Sequence, residues 1–170
     1  MATGLFGKLP AHGDFVRRAL PRGFTDPWDG WLSHGMEAAR AALGEDWAAA
    51  WEATPPWRFR LAPGACGPQA VMGVLVTSAD LVGRRFPLTL AAVLPAAALP
   101  APPEWYAALE EAALAARAGG MDADALAACL PPAPPDDPDA TLDGRSLFWS
   151  EGLAPRPMPA NFLSLLAVPA

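Results

Sequence analysis

Residues 71–94 read VMGVLVTSADLVGRRFPLTLAAVL. A continuous apolar run, 71–76, and a nearly continuous one, 88–94, flank the segment 78–85 (SADLVGRR), which has the length of a hairpin turn or slightly more. A strand with one wet face alternates polar and apolar residues, whereas an unbroken apolar strand is covered on both faces. This stretch therefore predicts the two inner strands of a sheet packed between helices. The expected fold class is α/β: a three-layer sandwich around a central mixed, mostly antiparallel sheet with helices on both faces.

Working outward, Trp57-Arg58-Phe59-Arg60-Leu61 alternates apolar and basic, as an edge strand with one solvated face would. Residues 4–9 and 15–20 read as short strands separated by Pro10 and the His12-Gly13 turn, and 146–149 as a further strand. Trp28, Trp31, Leu32, Met36, Ala39 and Leu43 recur at helical spacing, predicting a helix over 27–43. Thr25 or Asp26 would cap it, Pro27 would occupy its first turn and Gly44 would stop it. Shorter helices are expected over 45–53, over 104–118, from an Asp122 cap to about 130, and near 161–166. Segment 131–145 holds five prolines and four aspartates and reads as an acidic, proline-rich loop. With no repeat and no second core, residues 1–170 are expected to form one domain.

Composition narrows the function classes. Of 170 residues 52% are hydrophobic, enough for a sizeable core. The net charge is −6, so there are few cations to displace counterions from a phosphate backbone, and nucleic-acid binding is disfavoured. The longest candidate for a spanning segment, 86–103, is uncharged but contains five prolines, which no membrane-spanning helix survives. The start, MATGLFGK, lacks the pattern of a secretory leader. A cytoplasmic location without membrane insertion is expected.

Candidate chemistry is sparse. Gly4-x-x-Gly7-Lys8 approaches a phosphate loop, but Leu9 stands where a metal-binding hydroxyl is needed. His12 and Asp14 admit an acid–base pair or half a metal site. A turn whose polar groups cap nearby backbone is the favoured account of them. The other histidine, His34, has no His or Asp four residues away, and Cys66 and Cys129 fit no zinc or redox spacing, so no cofactor is expected. Asp80, Arg84 and Arg85 read either as a local salt bridge or, with Lys8, His12 and Asp14, as one polar surface at a common edge of the sheet. The tryptophans read as core, with Trp28 and Trp31 as alternative protein-binding anchors.

Four ordered blocks carry a more specific signal. They are Gly7-Lys8-Leu9-Pro10-Ala11-His12-Gly13-Asp14-Phe15; Asp26-Pro27-Trp28-Asp29-x-Trp31-Leu32; Trp57-Arg58-Phe59-x-Leu61 with Gly64-x-Cys66-Gly67; and Gly73-Val74-Leu75 through Ser78-x-Asp80-x-Val82-Gly83-Arg84-x-Phe86-Pro87-Leu88-Thr89. Together they resemble the TagF family (also called ImpM), associated with bacterial type VI secretion. Thr77 departs from the proline usual there, which predicts a slightly looser turn. The resemblance implies a non-enzymatic regulator that holds secretion in check after translation by binding a forkhead-associated scaffold protein. The partner contact is then expected on Lys8, His12, Asp14, Asp80, Arg84 and Arg85, with Phe15, Trp28 and Trp31 as anchors. Two competing readings are a hydrolase using His12 and Asp14, and a structural subunit of the secretion apparatus.

Overall fold

The two apolar runs pair with each other. Strands β4 (Ala70–Val76) and β5 (Leu88–Leu94) lie antiparallel, with Val71 opposite Val93 and Val76 opposite Leu88. The structure, a computed structural model, describes residues 2–94, 101–135 and 144–167. Around the central pair the sheet is completed by β1 (Thr3–Gly7), β2 (Val16–Arg18), β3 (Trp57–Leu61), β6 (Leu147–Trp149) and β7 (Arg156–Pro157), in the order β2-β1-β5-β4-β3-β6-β7. Every pairing is antiparallel, so the sheet is not mixed.

Alternation along the strands divides the core in two. Phe59, Val71, Leu75, Ala91 and Val93 face α1 (Arg22–Leu43), α2 (Trp47–Ala53) and a terminal 3-10 turn, Phe162–Leu165. Met72, Val74, Leu88, Leu90 and Leu94 face α3 (Pro103–Arg117) and α4 (Ala123–Cys129). The three layers follow from two apolar sheet faces, each of which needs a helical cover. Among the described residues no helix is long and apolar enough to cross a membrane.

Tryptophans bind the layers together. Trp28 is fully buried between Phe24 and Phe59, and its indole N–H donates to Thr89 Oγ1 of β5 at 2.9 Å. Trp31, half-buried, packs at a tilt against Phe148 and donates to the Pro159 carbonyl. Trp51 and Trp57 donate to the carbonyls of Ser78 and Leu165. Each indole thus buries a large apolar body and satisfies its one donor on another element. The core account of Trp28 and Trp31 fits this placement. Trp28 is enclosed, while Trp31 is only partly covered.

Three local expectations need correction. Helix α1 begins at Arg22, after an extended Pro21, and neither Thr25 nor Asp26 caps it. The amides of Phe24 and Thr25 both donate to the Pro21 carbonyl. Burying Phe24 against Trp28, four residues on, adds this extra turn and leaves Pro27 inside the helix. Pro27 has no N–H for the Gly23 carbonyl, and that carbonyl is approached instead by Gly67, where any Cβ would collide with it. Next, β3 is not an edge strand, because β6 pairs along its outer side with Phe59 opposite Phe148. Nor is its basic face wet. Arg58 forms a two-pronged pair with Glu110 of α3 at 2.8 and 2.9 Å, and this raises the guanidinium pKa further. Of the acidic loop, residues 136–143 lie outside the described residues.

Two glycines of α1 give a paired test. Phe162 sits directly on Gly35, so a methyl there would strike its backbone and Cβ, whereas nothing lies within 4 Å of a Cβ on Gly30. Gly35→Ala is expected to destabilise by about 1–3 kcal/mol through overpacking. Gly30→Ala should stabilise by roughly 0.5–1 kcal/mol through helix propensity. Urea titration of both variants checks the opposite signs.

Candidate functional site

At one end of the sheet, the turn that follows β1 and the hairpin joining β4 to β5 are bonded into a single unit. Strand β1 ends at Gly7, φ +132°, packed so tightly on the Pro87 carbonyl that no Cβ could be accommodated. Immediately after it, the Lys8 carbonyl accepts the Ser78 hydroxyl at 2.8 Å. The hairpin closes on itself through Phe86 N–H to Ser78 O, Asp80 N–H to Arg84 O and Gly83 N–H to Asp80 O, with Gly83 at φ +84°. Two further bonds tie it to the first turn. Leu81 N–H donates to the His12 carbonyl at 2.8 Å and the Arg84 guanidinium to the Gly13 carbonyl at 2.6 Å.

The Asp80 carboxylate is the hub of this unit, and its side chain is wholly buried. It accepts from Val82 N–H at 3.1 Å, Arg84 N–H at 2.9 Å and Arg84 Nε at 2.7 Å, and Lys8 Nζ lies 3.2 Å away. Burial by itself raises a carboxyl pKa. Here the donors from Arg84, Lys8 and Val82 outweigh it and hold the group lowered to about 2. Lys8 in turn lies 5.0 Å from the centre of the Phe15 ring, which packs edge-on against Phe86 at 4.8 Å.

The structure thus brings Lys8, His12, Asp14, Phe15, Asp80 and Arg84 together, but not as one exposed surface. Lys8 and Asp80 are buried inside the lock. Asp14 is exposed and accepts only the Phe15 N–H among the described residues, at 2.7 Å. The His12 ring departs from a role confined to its own turn. Its Nε2 accepts the Ala123 N–H at 3.0 Å, at the start of α4, because the fold lays that helix against β1 and β2. Arg85 is half-buried with its Nε 3.8 Å from Glu52 of α2. Trp28 and Trp31 belong to the α1 core. Phe15, by contrast, stays 47% exposed.

Sequence reasoning missed Leu81 and Val82, which are 67% and 71% exposed at the hairpin tip. The available signal was a pair of aliphatic residues where a turn ordinarily carries Asn, Asp, Ser or Gly. Thr77 is buried beneath the hairpin, and its hydroxyl and carbonyl lie 3.3 and 3.4 Å from the Arg117 guanidinium, contacts to which a proline could not contribute a hydroxyl. Cys66 is buried, and desolvation pushes its thiol up to about 11. Among the described residues no three His, Cys, Asp or Glu side chains converge as metal ligands would.

Fold and site together define a three-layer α/β protein that carries a pinned hairpin, apolar at its point, at one end of its sheet. A family model described as "TagF N-terminal domain, Type VI secretion system-associated" matches residues 4–131. The chain belongs to the TagF family of type VI secretion-associated proteins. It is similar in structure to PA0076 from Pseudomonas aeruginosa PAO1, at 38% identity and a TM-score of 0.73, over 90% of this chain and 72% of that one. No curated protein matches it.

The lock has a pH signature. Because the Asp80 carboxyl titrates near 2 in the folded protein, below its ordinary 3.8, the folded state takes up this proton later than the unfolded state does. The lock therefore stabilises fully above about pH 4, and its contribution is lost as pH falls through 2. Asp80→Asn is expected to lower the urea midpoint at pH 7 and to flatten its dependence between pH 4 and 2. Urea titrations of both proteins across that window measure the difference.

Proposed function

We propose that this protein is a non-enzymatic cytoplasmic regulator that restrains type VI secretion after translation, by occupying a forkhead-associated scaffold protein. The observation that carries the reading is how the polar residues of the two clearest family blocks are used. Asp80, Arg84, Lys8 and His12 are spent on backbone and on one another, holding a hairpin in a fixed position. Such an arrangement suits a docking element, whose fixed shape reduces the entropy lost on binding. A hydrolase would instead need His12 and Asp14 turned toward a substrate with a nucleophile or metal in reach. The His12 Nε2 and the Asp14 Oδ1 are engaged by the Ala123 and Phe15 amides.

Family membership supports a role in type VI secretion and makes the scaffold protein the first partner to test. The purified chain is expected to bind the forkhead-associated scaffold protein of its own secretion cluster with a dissociation constant in the micromolar range or below, by isothermal titration calorimetry. Deleting its gene should raise type VI secretion without changing transcript levels. No binding at micromolar concentration together with unchanged secretion would refute the proposal. Turnover of a substrate by the purified chain, lost in His12→Ala with the fold intact, would replace it with the hydrolase reading.

A further inference from the structure

We infer that His12 is a pH-sensitive latch: with its ring neutral it holds the start of α4 against the first turn, and on taking up a proton it lets go. The inference goes beyond the binding reading and does not depend on it.

The latch follows from what a backbone amide can do. The Ala123 N–H is a donor and nothing else, so the ring nitrogen 3.0 Å from it, Nε2, must be bare. The ring is then neutral, with its one proton on Nδ1. Protonation places a second N–H on Nε2, aimed at the amide, and two donors face to face repel. Histidine is the side chain whose ordinary charge change falls between about pH 5 and 8, so this contact turns from attraction to repulsion with modest acidification. The amide has no ready substitute. Ala123 opens α4, and the first amides of a helix lack a partner within it. The Asp122 side chain is already given to the Ala125 N–H, so Ala123 relies on a residue 111 positions away.

Helix α4 is also an element that can move. Gly119 and Gly120 both sit at positive φ with nothing within 4 Å of an added Cβ, and form a two-residue joint between α3 and α4. Beyond the helix, the Trp105 indole holds the Pro132 carbonyl. Among the described residues, the polar ties from α4 to the first turn and the sheet are the His12 bond and the Arg18–Asp124 pair at 2.7 Å. That pair is exposed and contributes little. Ala123 and Leu126 are buried in one apolar cluster with Leu5, Leu9 and Val16, so the start of α4 is part of the cover over β1 and the turn after it. One residue joins both neighbours of that turn, since the His12 carbonyl accepts the Leu81 N–H of the hairpin while its ring holds α4.

The charges on the elements packed around the ring leave the switch in this sense. In the hairpin, Asp80 is spent on Arg84 and on Lys8. Arg18 of β2 is paired with Asp124 of α4, and Arg117 of α3 lies against Thr77. Asp14 on the same turn and Asp122 before α4 are the carboxylates left to attract a charged ring. Attraction to either does not restore the lost bond, because the Ala123 amide remains a donor.

The experiment is amide hydrogen exchange by NMR on the full, isotopically labelled chain between about pH 7.5 and 5.5, expressed as protection factors to remove the intrinsic pH dependence of exchange. At the upper end, the ring nitrogen shifts should place the His12 proton on Nδ1. As the ring takes up its second proton, protection of the Ala123 amide should fall by about fivefold, the loss of one net hydrogen bond, while the amides of β4 and β5 keep theirs. His12→Gln removes the titrating group and retains His34, the other histidine, so its Ala123 protection should not change with pH. A proton on Nε2 at the upper end overturns the inference. So does Ala123 protection that stays constant while the His12 ring charges, and so does a loss that survives in His12→Gln. If the urea midpoint shows that His12→Gln does not fold, the titration of the parent chain decides alone.

Discussion

A carboxylate without solvent is costly unless donors surround it, and the Asp80 side chain is fully enclosed. Its partners come from two places about 70 residues apart: the hairpin's own amides and arginine, and Lys8 at the end of the first strand. Removing any one of them leaves charge or an acceptor buried and unmatched. This single requirement fixes where β1 ends, how the hairpin turns, and which residues are pushed outward at its tip. The phenylalanines beside it follow the same constraint, since Phe15 closes over Lys8 from one side and packs on Phe86 from the other.

The sheet supplies the frame in which that requirement can be met. Strand β1 lies beside β5 with Gly7 opposite Leu88, so its end meets the base of the β4–β5 hairpin. Neither face of the inner strands carries a charge, and both are covered by helices whose indoles reach sheet or loop carbonyls or hydroxyls. The polar chemistry of this half of the molecule is thereby concentrated at the turns. Arg58 repeats the principle on a smaller scale, since a basic residue under a helix is tolerated because Glu110 meets both prongs of its guanidinium.

How much of this was legible in the residues depends on how local the cause was. The inner strands could be read because seven consecutive buried positions in each leave no charged interruption. The Asp122 cap of α4 could be read because its side chain bonds an amide three residues on. The start of α1 was hidden because Gly23 and Pro27 are ordinary breakers, and only the burial of Phe24 against Trp28 overrides them. The cover on β3 was hidden because it arrives from β6, nearly 90 residues later. At the site, the motif blocks named most of the residues that converge. Sequence could not separate those that hold the hairpin from those it displays, since Lys8 and Asp80 look as solvent-loving as Arg84. Leu81 and Val82 escaped notice because aliphatic residues ordinarily signal interior.

The lock between Lys8 and Asp80 also has a bearing on assembly of the chain. The β4–β5 hairpin is a local structure that can form early, whereas seating β1 beside it closes a loop of some 80 residues and comes at a larger entropic cost. Until that closure is complete, Asp80 lacks its lysine and the tip has no fixed direction. An incompletely folded copy therefore lacks the shaped surface on which the proposed docking would rely, and a correctly directed tip becomes a report that the first strand has taken its place.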